Sequence, residues 1–325
     1  MRSLPLLAVL ALCAAGSLLA ALLIGSVPLT VAQVLNALFG QSPDSTHTMA
    51  HDIVWQLRAP RALAAFVCGA LLAGAGVLLQ VLLRNPLADP YVLGVSGGAA
   101  LGALGAMLFG ASLAGLNAAA FIGAAAAIAI VFALSFRAGD WNPHRLLLTG
   151  VVLSSGFAAL ISLILAVAPQ AQLKGMLFWL MGDLSDAGNS GGAWLLLAAL
   201  LVVFGLLARS LDALALGAMK ARALGVAVTP LQMAIYAGAA AATVAAVLLG
   251  GSIGFVGMMA PHALRLLGVH EHRALLPAAA LGGGMFVVLA DILARTLWAP
   301  QQLPVGVFTA LIGVPVLLVL LSRKS

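Results

Sequence analysis

Charge is scarce in this chain: nine acidic and fifteen basic residues are spread over 325 positions, a charged share of 7%, against about 25% in soluble domains. A soluble globule needs far more ionic surface than that. Only two cysteines occur, Cys13 and Cys68, both inside apolar stretches, which argues against a disulfide framework or a cysteine metal pair. The three lysines, Lys174, Lys220 and Lys324, follow Leu173, Met219 and Arg323. A Walker-type phosphate cradle requires Gly-Lys-Ser/Thr, so the chain carries no P-loop ATPase of its own.

What is abundant is apolar: 63% of residues are hydrophobic and the mean hydropathy is +1.17. A spanning helix needs about 20 mostly apolar residues, and ten segments approach that, over 4–25, 62–83, 92–109, 118–136, 146–168, 191–208, 231–250, 251–268, 274–294 and 303–321. The expected fold is therefore all-α, a polytopic membrane protein of ten transmembrane helices forming one domain over 1–325. Segment 4–25 also has features of a secretory signal, but its apolar run exceeds the roughly 7–15 residues of a signal core. An uncleaved first helix is expected.

A pI near 10.2 raises nucleic acid as a partner, but the basic residues follow the loops and form no single stripe. With the N-terminus inside, eleven of the fifteen fall on one face: Arg2, Arg84, Arg137, Arg145, Arg209, Lys220, Arg222, Arg265, Arg273, Arg323 and Lys324. Arg58, Arg61, Lys174 and Arg295 fall on the other. The positive-inside rule then puts both termini in the cytoplasm. Residues 40–61 and 169–190 become outer segments, and 209–230 the largest cytoplasmic loop. Within 169–190, "GMLFWLMG" is too short to span and is expected at the interface, anchored by Trp179.

Two of the ten segments, 92–109 and 251–268, are short and interrupted by Gly or Pro at corresponding places in the two halves. Paired segments of this kind point to inverted repeats in transporters. Small residues that let backbones approach closely would leave the same trace.

Local motifs supply little chemistry. The Gly94-Val95-Ser96-Gly97-Gly98 run resembles a nucleophile loop, but a serine nucleophile needs a base and a group orienting it. His262 and Asp291 lie on other segments with no local signature. Asn85, Pro86, Asp89 and Pro90 instead suit a rigid turn into a tightly packed helix. His47 and His51, and His270 with His272, read as solvated loop and helix-entry residues rather than metal ligands. His262 and Arg265 read as a helix end facing the cytoplasm. Asp291 and Arg295 stand i, i+4 with the acid first, the favourable order for a helical ion pair. No catalytic or metal-binding residue is assigned.

Three function classes fit such a chain: a permease driven by a separate ATPase, an ATP-independent channel or secondary transporter, and an intramembrane enzyme. Secondary transporters place ionisable residues near the midplane, and most segments here contain none. That favours an energy source outside the chain.

Four stretches carry a specific resemblance: "RNPLADPYVLGVSGGAALGA", "IGFVGMMAPHALRLLG", "EHRALLPAAALGGGMFVVLADILAR" and "LPVGVFTALIGVPVLL". Together, from about residue 55 to 321, the chain resembles the FecCD family, permeases of ABC importers for iron–siderophore complexes, haem and cobalamin. The resemblance implies a bacterial inner-membrane location and a homodimer of permeases around a central pathway. It also implies two cytoplasmic ATPases that hold the ATP and Mg, and a periplasmic substrate-binding protein. A coupling helix for the ATPase would lie in "ALGAMKARALGV", with Ala221, Leu224 and Gly225 at the characteristic positions. Ala218 stands where an acid is common. Arg58, Arg61 and Arg295 match positions that receive acidic residues of the binding protein, presented as two basic clusters by two copies. The pathway would run along the fifth and tenth spans, past Ser154, Ser155, Gly156, Gly306 and Pro315.

Overall fold

The computed structural model describes residues 3–40, 45–137, 140–141, 143–185 and 187–322. Arg2, Arg323 and Lys324, and the side chains of His47 and Arg137, lie outside the described residues.

Fifteen α-helices follow one another among the described residues. The first three are α1 (Ser3–Leu23), α2 (Val31–Phe39) and α3 (Ser45–Asp52). A π-helical turn, Ile53–Arg58, leads from α3 into α4 (Ala59–Leu83). Next come α5 (Val95–Leu108), α6 (Leu113–Ser135), α7 (Pro143–Val167), α8 (Gln170–Met181) and α9 (Gly191–Leu206). The second half holds α10 (Ala208–Ala215), α11 (Ala218–Ala223), α12 (Val228–Gly250), α13 (Val256–Leu266), α14 (His272–Thr296) and α15 (Val305–Ser322). The strand content among the described residues is one two-residue antiparallel pairing, Phe136–Arg137 with Asp140–Trp141.

Each of the ten apolar segments falls on one helix. Six of these helices are long and apolar enough to cross a membrane, and α9 with α10 makes a seventh, bent by 67°. The remaining three, α5, α13 and α15, are shorter. Helices α5 and α13 are short because each begins only after a left-handed residue, Gly94 at φ 72° and Phe255 at φ 69°. Left-handed backbone cannot propagate a right-handed helix.

Helix α4 is the axis of the bundle. It is apolar all round, which suits a helix enclosed by others, and it packs against α12, α13, α14 and α1. Two close approaches set this packing. A Cβ on Gly69 would stand 2.2 Å from the Gly283 carbonyl oxygen of α14, and one on Gly76 would stand 1.8 Å from that of Gly257 in α13. Buried side chains from Ala14 to Phe308 form one continuous cluster. A small satellite, Val34, Ala37 and Val54, seats α2 on the π-helical turn. His51 belongs to this seat: its Nδ1 lies 3.2 Å from the Ala37 carbonyl oxygen, which also accepts from Trp55 Nε1 at 2.9 Å.

Candidate functional site

The stretch 215–226 contains a separate short helix, α11, bounded by two glycines. Gly217 precedes it at φ 116° and Gly225 follows it at φ 81°. The Val226 N–H donates to the Ala221 carbonyl at 3.0 Å, and the Gly225 N–H to that of Arg222 at 3.0 Å. This is a Schellman closure with glycine at the left-handed position. It turns the chain back with Ala221 fully buried and Leu224 66% exposed. Leu224 and Gly225 border an open cleft of about 680 Å³ with Arg209 and Pro230.

A charged contact ties this region to the bundle. Asp212 Oδ1 in α10 accepts from the His272 backbone N–H at 3.1 Å and lies 2.5 Å from His272 Nδ1. Asp212 therefore caps the first turn of α14 from another helix. His272 is buried, which corrects the solvated reading of 270–273; His270, Glu271 and Arg273 are exposed. His262 is buried too, and Arg265 donates to the side chain of Gln80, so neither forms a free cytoplasmic helix end.

Arg58, Arg61 and Arg295 do come together, but as a buried group: 4%, 8% and 5% exposed. An exposed basic cluster is therefore not what one chain presents. Arg58 is spent on backbone, donating to the carbonyls of Leu22, Leu23 and Val27. Arg61 donates through Nε to Asp291 Oδ1 at 2.9 Å and through Nη1 to Gln302 Oε1 at 2.5 Å. Arg295 Nε lies 3.0 Å from Asp291 Oδ2, the expected i, i+4 pair, and its Nη2 donates to the Ala21 carbonyl at 3.2 Å. Desolvation forces this arrangement, because a buried guanidinium must be paired and hydrogen-bonded. The three arginines floor a cleft of about 180 Å³ rimmed by Gly25, Leu57 and Ser185. Three guanidinium groups against one carboxylate leave this cleft positive.

The five pathway candidates sit on two helices at the edge of the bundle. α7 packs on α5 and α6, and α15 on α14, α13 and α8. Ser155 is exposed, with its hydroxyl bonded back to the Val151 carbonyl at 3.1 Å. Ser154 is half-buried, and Gly156 is exposed, with nothing within 4 Å of the place a Cβ would take. Pro315 is exposed in α15. Gly306 differs, since a Cβ there would meet the Met181 and Ser252 carbonyl oxygens at 2.1 and 2.9 Å.

One feature had no signal in residue spacing. The chain leading into α5 and the chain leading into α13 meet inside the bundle. Tyr91 hydroxyl donates to the Ile253 carbonyl at 3.0 Å and accepts from the Ile253 N–H at 2.8 Å. Ser96 Oγ donates to Ser252 Oγ at 3.0 Å. The Tyr91 hydroxyl thus satisfies both backbone groups of Ile253, a residue outside any helix. "GMLFWLMG" belongs to α8, which packs on α5 and α15 with Trp179 half-buried.

Comparison with known proteins follows the same lines. The FecCD transport family matches residues 10–323. The chain is 41% identical over 295 residues to the hemin transport system permease protein HmuU of Yersinia pestis, covering 86% of each chain. It is 37% identical over 307 residues to the vitamin B12 import system permease protein BtuC of Shigella sonnei, covering 92% of this chain and 94% of that one. A solved structure described as an inward-facing conformation of a metal-chelate type ABC transporter superimposes with a TM-score of 0.85 at 32% identity, covering 98% of each chain.

Proposed function

The chain belongs to the FecCD transport family, and on that premise we propose that it is the membrane permease of an ATP-driven importer that carries a metal chelate from periplasm to cytoplasm. Iron–siderophore, haem and cobalamin define the substrate class. In this reading the ten apolar helices all cross the bacterial inner membrane, with both termini cytoplasmic, and two copies enclose the pathway. Two separate ATPases bind ATP and Mg. A channel or secondary transporter working without ATP is the competing class.

The observation that carries the proposal is α11. It is a short helix outside the long helices, closed by Gly225 so that Leu224 projects beside an open cleft while Ala221 is locked underneath. A helix held this way passes on a push without yielding to it. The Asp212 contact with His272 gives such a push a route into α14, which packs along α4. Ala221, Leu224 and Gly225 are therefore the coupling residues.

At the other face, the positive cleft over Arg58, Arg61 and Arg295 receives acidic side chains of a substrate-binding protein. The long-range field of such a positive cleft acts mainly on association rate and its salt dependence. Ser155, Gly156 and Pro315, exposed in one chain, and the half-buried Ser154 face the pathway once a second copy is present, and Gly306 allows α15 to approach α8.

Gly225→Val tests this. Its left-handed backbone costs about 1–2 kcal/mol with a side chain, confined to a loop, so the permease is expected to fold while ATP-driven uptake and ATPase binding are lost. Undiminished uptake in that variant contradicts the assignment.

A further inference from the structure

Two cavities lie next to each other on one side of the bundle. The first, about 800 Å³, opens between α6, α8, α9 and α12, and its lining includes Asn117, Lys174, Asp183, Asn189 and Trp179. The second, about 610 Å³, is an apolar slot between α6, α9 and α12. They share Ala245 and Leu248. The slot exists because α12 presents alanines there, with Ala237 and Ala241 exposed. Its far end carries Tyr236, whose hydroxyl donates to the Ile128 carbonyl at 2.8 Å and whose ring lies 5.7 Å from that of Phe132.

The dimensions and the polarity both point to one occupant. From Leu248 to Tyr236 the α12 axis rises about 18 Å at 1.5 Å per residue. Half of a hydrocarbon core of about 30 Å is about 15 Å. The slot is one leaflet deep, which suits an acyl chain entering from the mouth and not a crossing helix. The mouth offers charges of both signs. Lys174 is exposed, its Nζ 5.6 Å from the Phe178 ring centre. Asp183 is held by the Ser185 N–H at 2.9 Å and the Ser185 hydroxyl at 2.7 Å. Asn189 spends its carbonyl oxygen on the Gly191 N–H, leaving its amide as a donor. Trp179 supplies the aromatic ring that favours the membrane–water interface.

We propose that these adjoining cavities together bind one glycerophospholipid bearing a phosphate and a primary ammonium. Lys174 and the Asn189 amide hold the phosphate, Asp183 takes the ammonium, and an acyl chain lies along Ala245, Ala241 and Ala237 to Tyr236. A trimethylated head group lacks the N–H donors that Asp183 requires.

The test uses the full chain equilibrated in nanodiscs with equal phosphatidylethanolamine and phosphatidylcholine of identical acyl chains, then native mass spectrometry of the lipid retained. The wild type is expected to keep one lipid per chain, with about a tenfold preference for the ethanolamine form, as a charge-assisted N–H bond warrants. Asp183→Asn should erase the preference, Lys174→Glu should lower retention of both lipids, and Ala241→Trp should abolish it. Should Ala241→Trp fail to fold, Ala241→Leu and Lys174→Glu carry the test. Equal retention of both lipids by the wild type, or retention untouched by Lys174→Glu, overturns the proposal. So does disulfide-linked dimerisation of Ala241→Cys, which would show a second copy in the slot.

Discussion

Arg61 Nη2 lies 2.8 Å from Asp291 Oδ1, an ion pair between residues 230 positions apart that fastens α4 to the end of α14. Because Asp291 also faces Arg295, one carboxylate compensates two buried guanidinium groups. Breaking a buried pair from one side costs about 3–5 kcal/mol, since the remaining charge is left uncompensated. Asp291→Ala is therefore expected to lower the unfolding temperature of the detergent-purified permease strongly, and Asp291→Asn less. Melting unchanged in Asp291→Ala would mean that water already solvates the arginines.

Two glycines one half-turn apart on α4 should behave oppositely. At Gly76 a methyl group would overlap the Gly257 carbonyl oxygen, whereas nothing lies within 4 Å at Gly74. Overpacking costs about 1–3 kcal/mol or more, and removing a mid-helix glycine gains about 0.5–1 kcal/mol. Gly76→Ala should express poorly and melt early, and Gly74→Ala should match or exceed the wild type. Similar melting of both variants would show that α4 and α13 are not in this contact.

Asp89 gives a pH signature. Burial raises its carboxyl from 3.8 to about 6, opposed by the hydrogen bond it accepts from the Tyr91 N–H. A folded-state value above the unfolded one means that protonation favours the fold. The stabilisation is complete below 3.8 and is lost as pH rises through about 6. Asp89→Asn keeps the acceptor and removes the charge, so it should stabilise the purified chain at pH 8, with the gain vanishing toward pH 4. A gain independent of pH would place the effect elsewhere.

How much of this could be read from residue order depends on range. The ten apolar helices followed from apolar run length alone, whereas the shorter α2, α3, α8, α10 and α11 did not. The Asp291–Arg295 pair followed from i, i+4 spacing. Each of these is settled within one or two turns. The Arg61–Asp291 pair, the Asp212–His272 cap and the Tyr91–Ile253 contact join residues far apart in the chain, and no local pattern records them. Burial of the arginines was hidden for the same reason: an arginine at a helix end reads as solvent-facing until the neighbouring helices are in place.

Sidedness has its own measurement. Met219 in α11 and Phe109 just after α5, 85% and 87% exposed, lie between apolar segments on what the positive-inside rule assigns to opposite faces. In a chain with Cys13→Ser, Phe109→Cys should react with an impermeant thiol reagent in intact spheroplasts, and Met219→Cys only after lysis. The reversed pattern would invert the topology.

Energy supplied by a separate ATPase is tested most directly by uptake. The permease is reconstituted in proteoliposomes with its candidate ATPase and binding protein, and entry of a labelled ferric chelate, haem or cobalamin is followed with Mg-ATP on the α11 side. Concentrative uptake should require the ATPase, hydrolysable ATP and the permease together. Equal uptake from vesicles that contain the permease alone would contradict the assignment and identify a passive or ion-driven carrier instead.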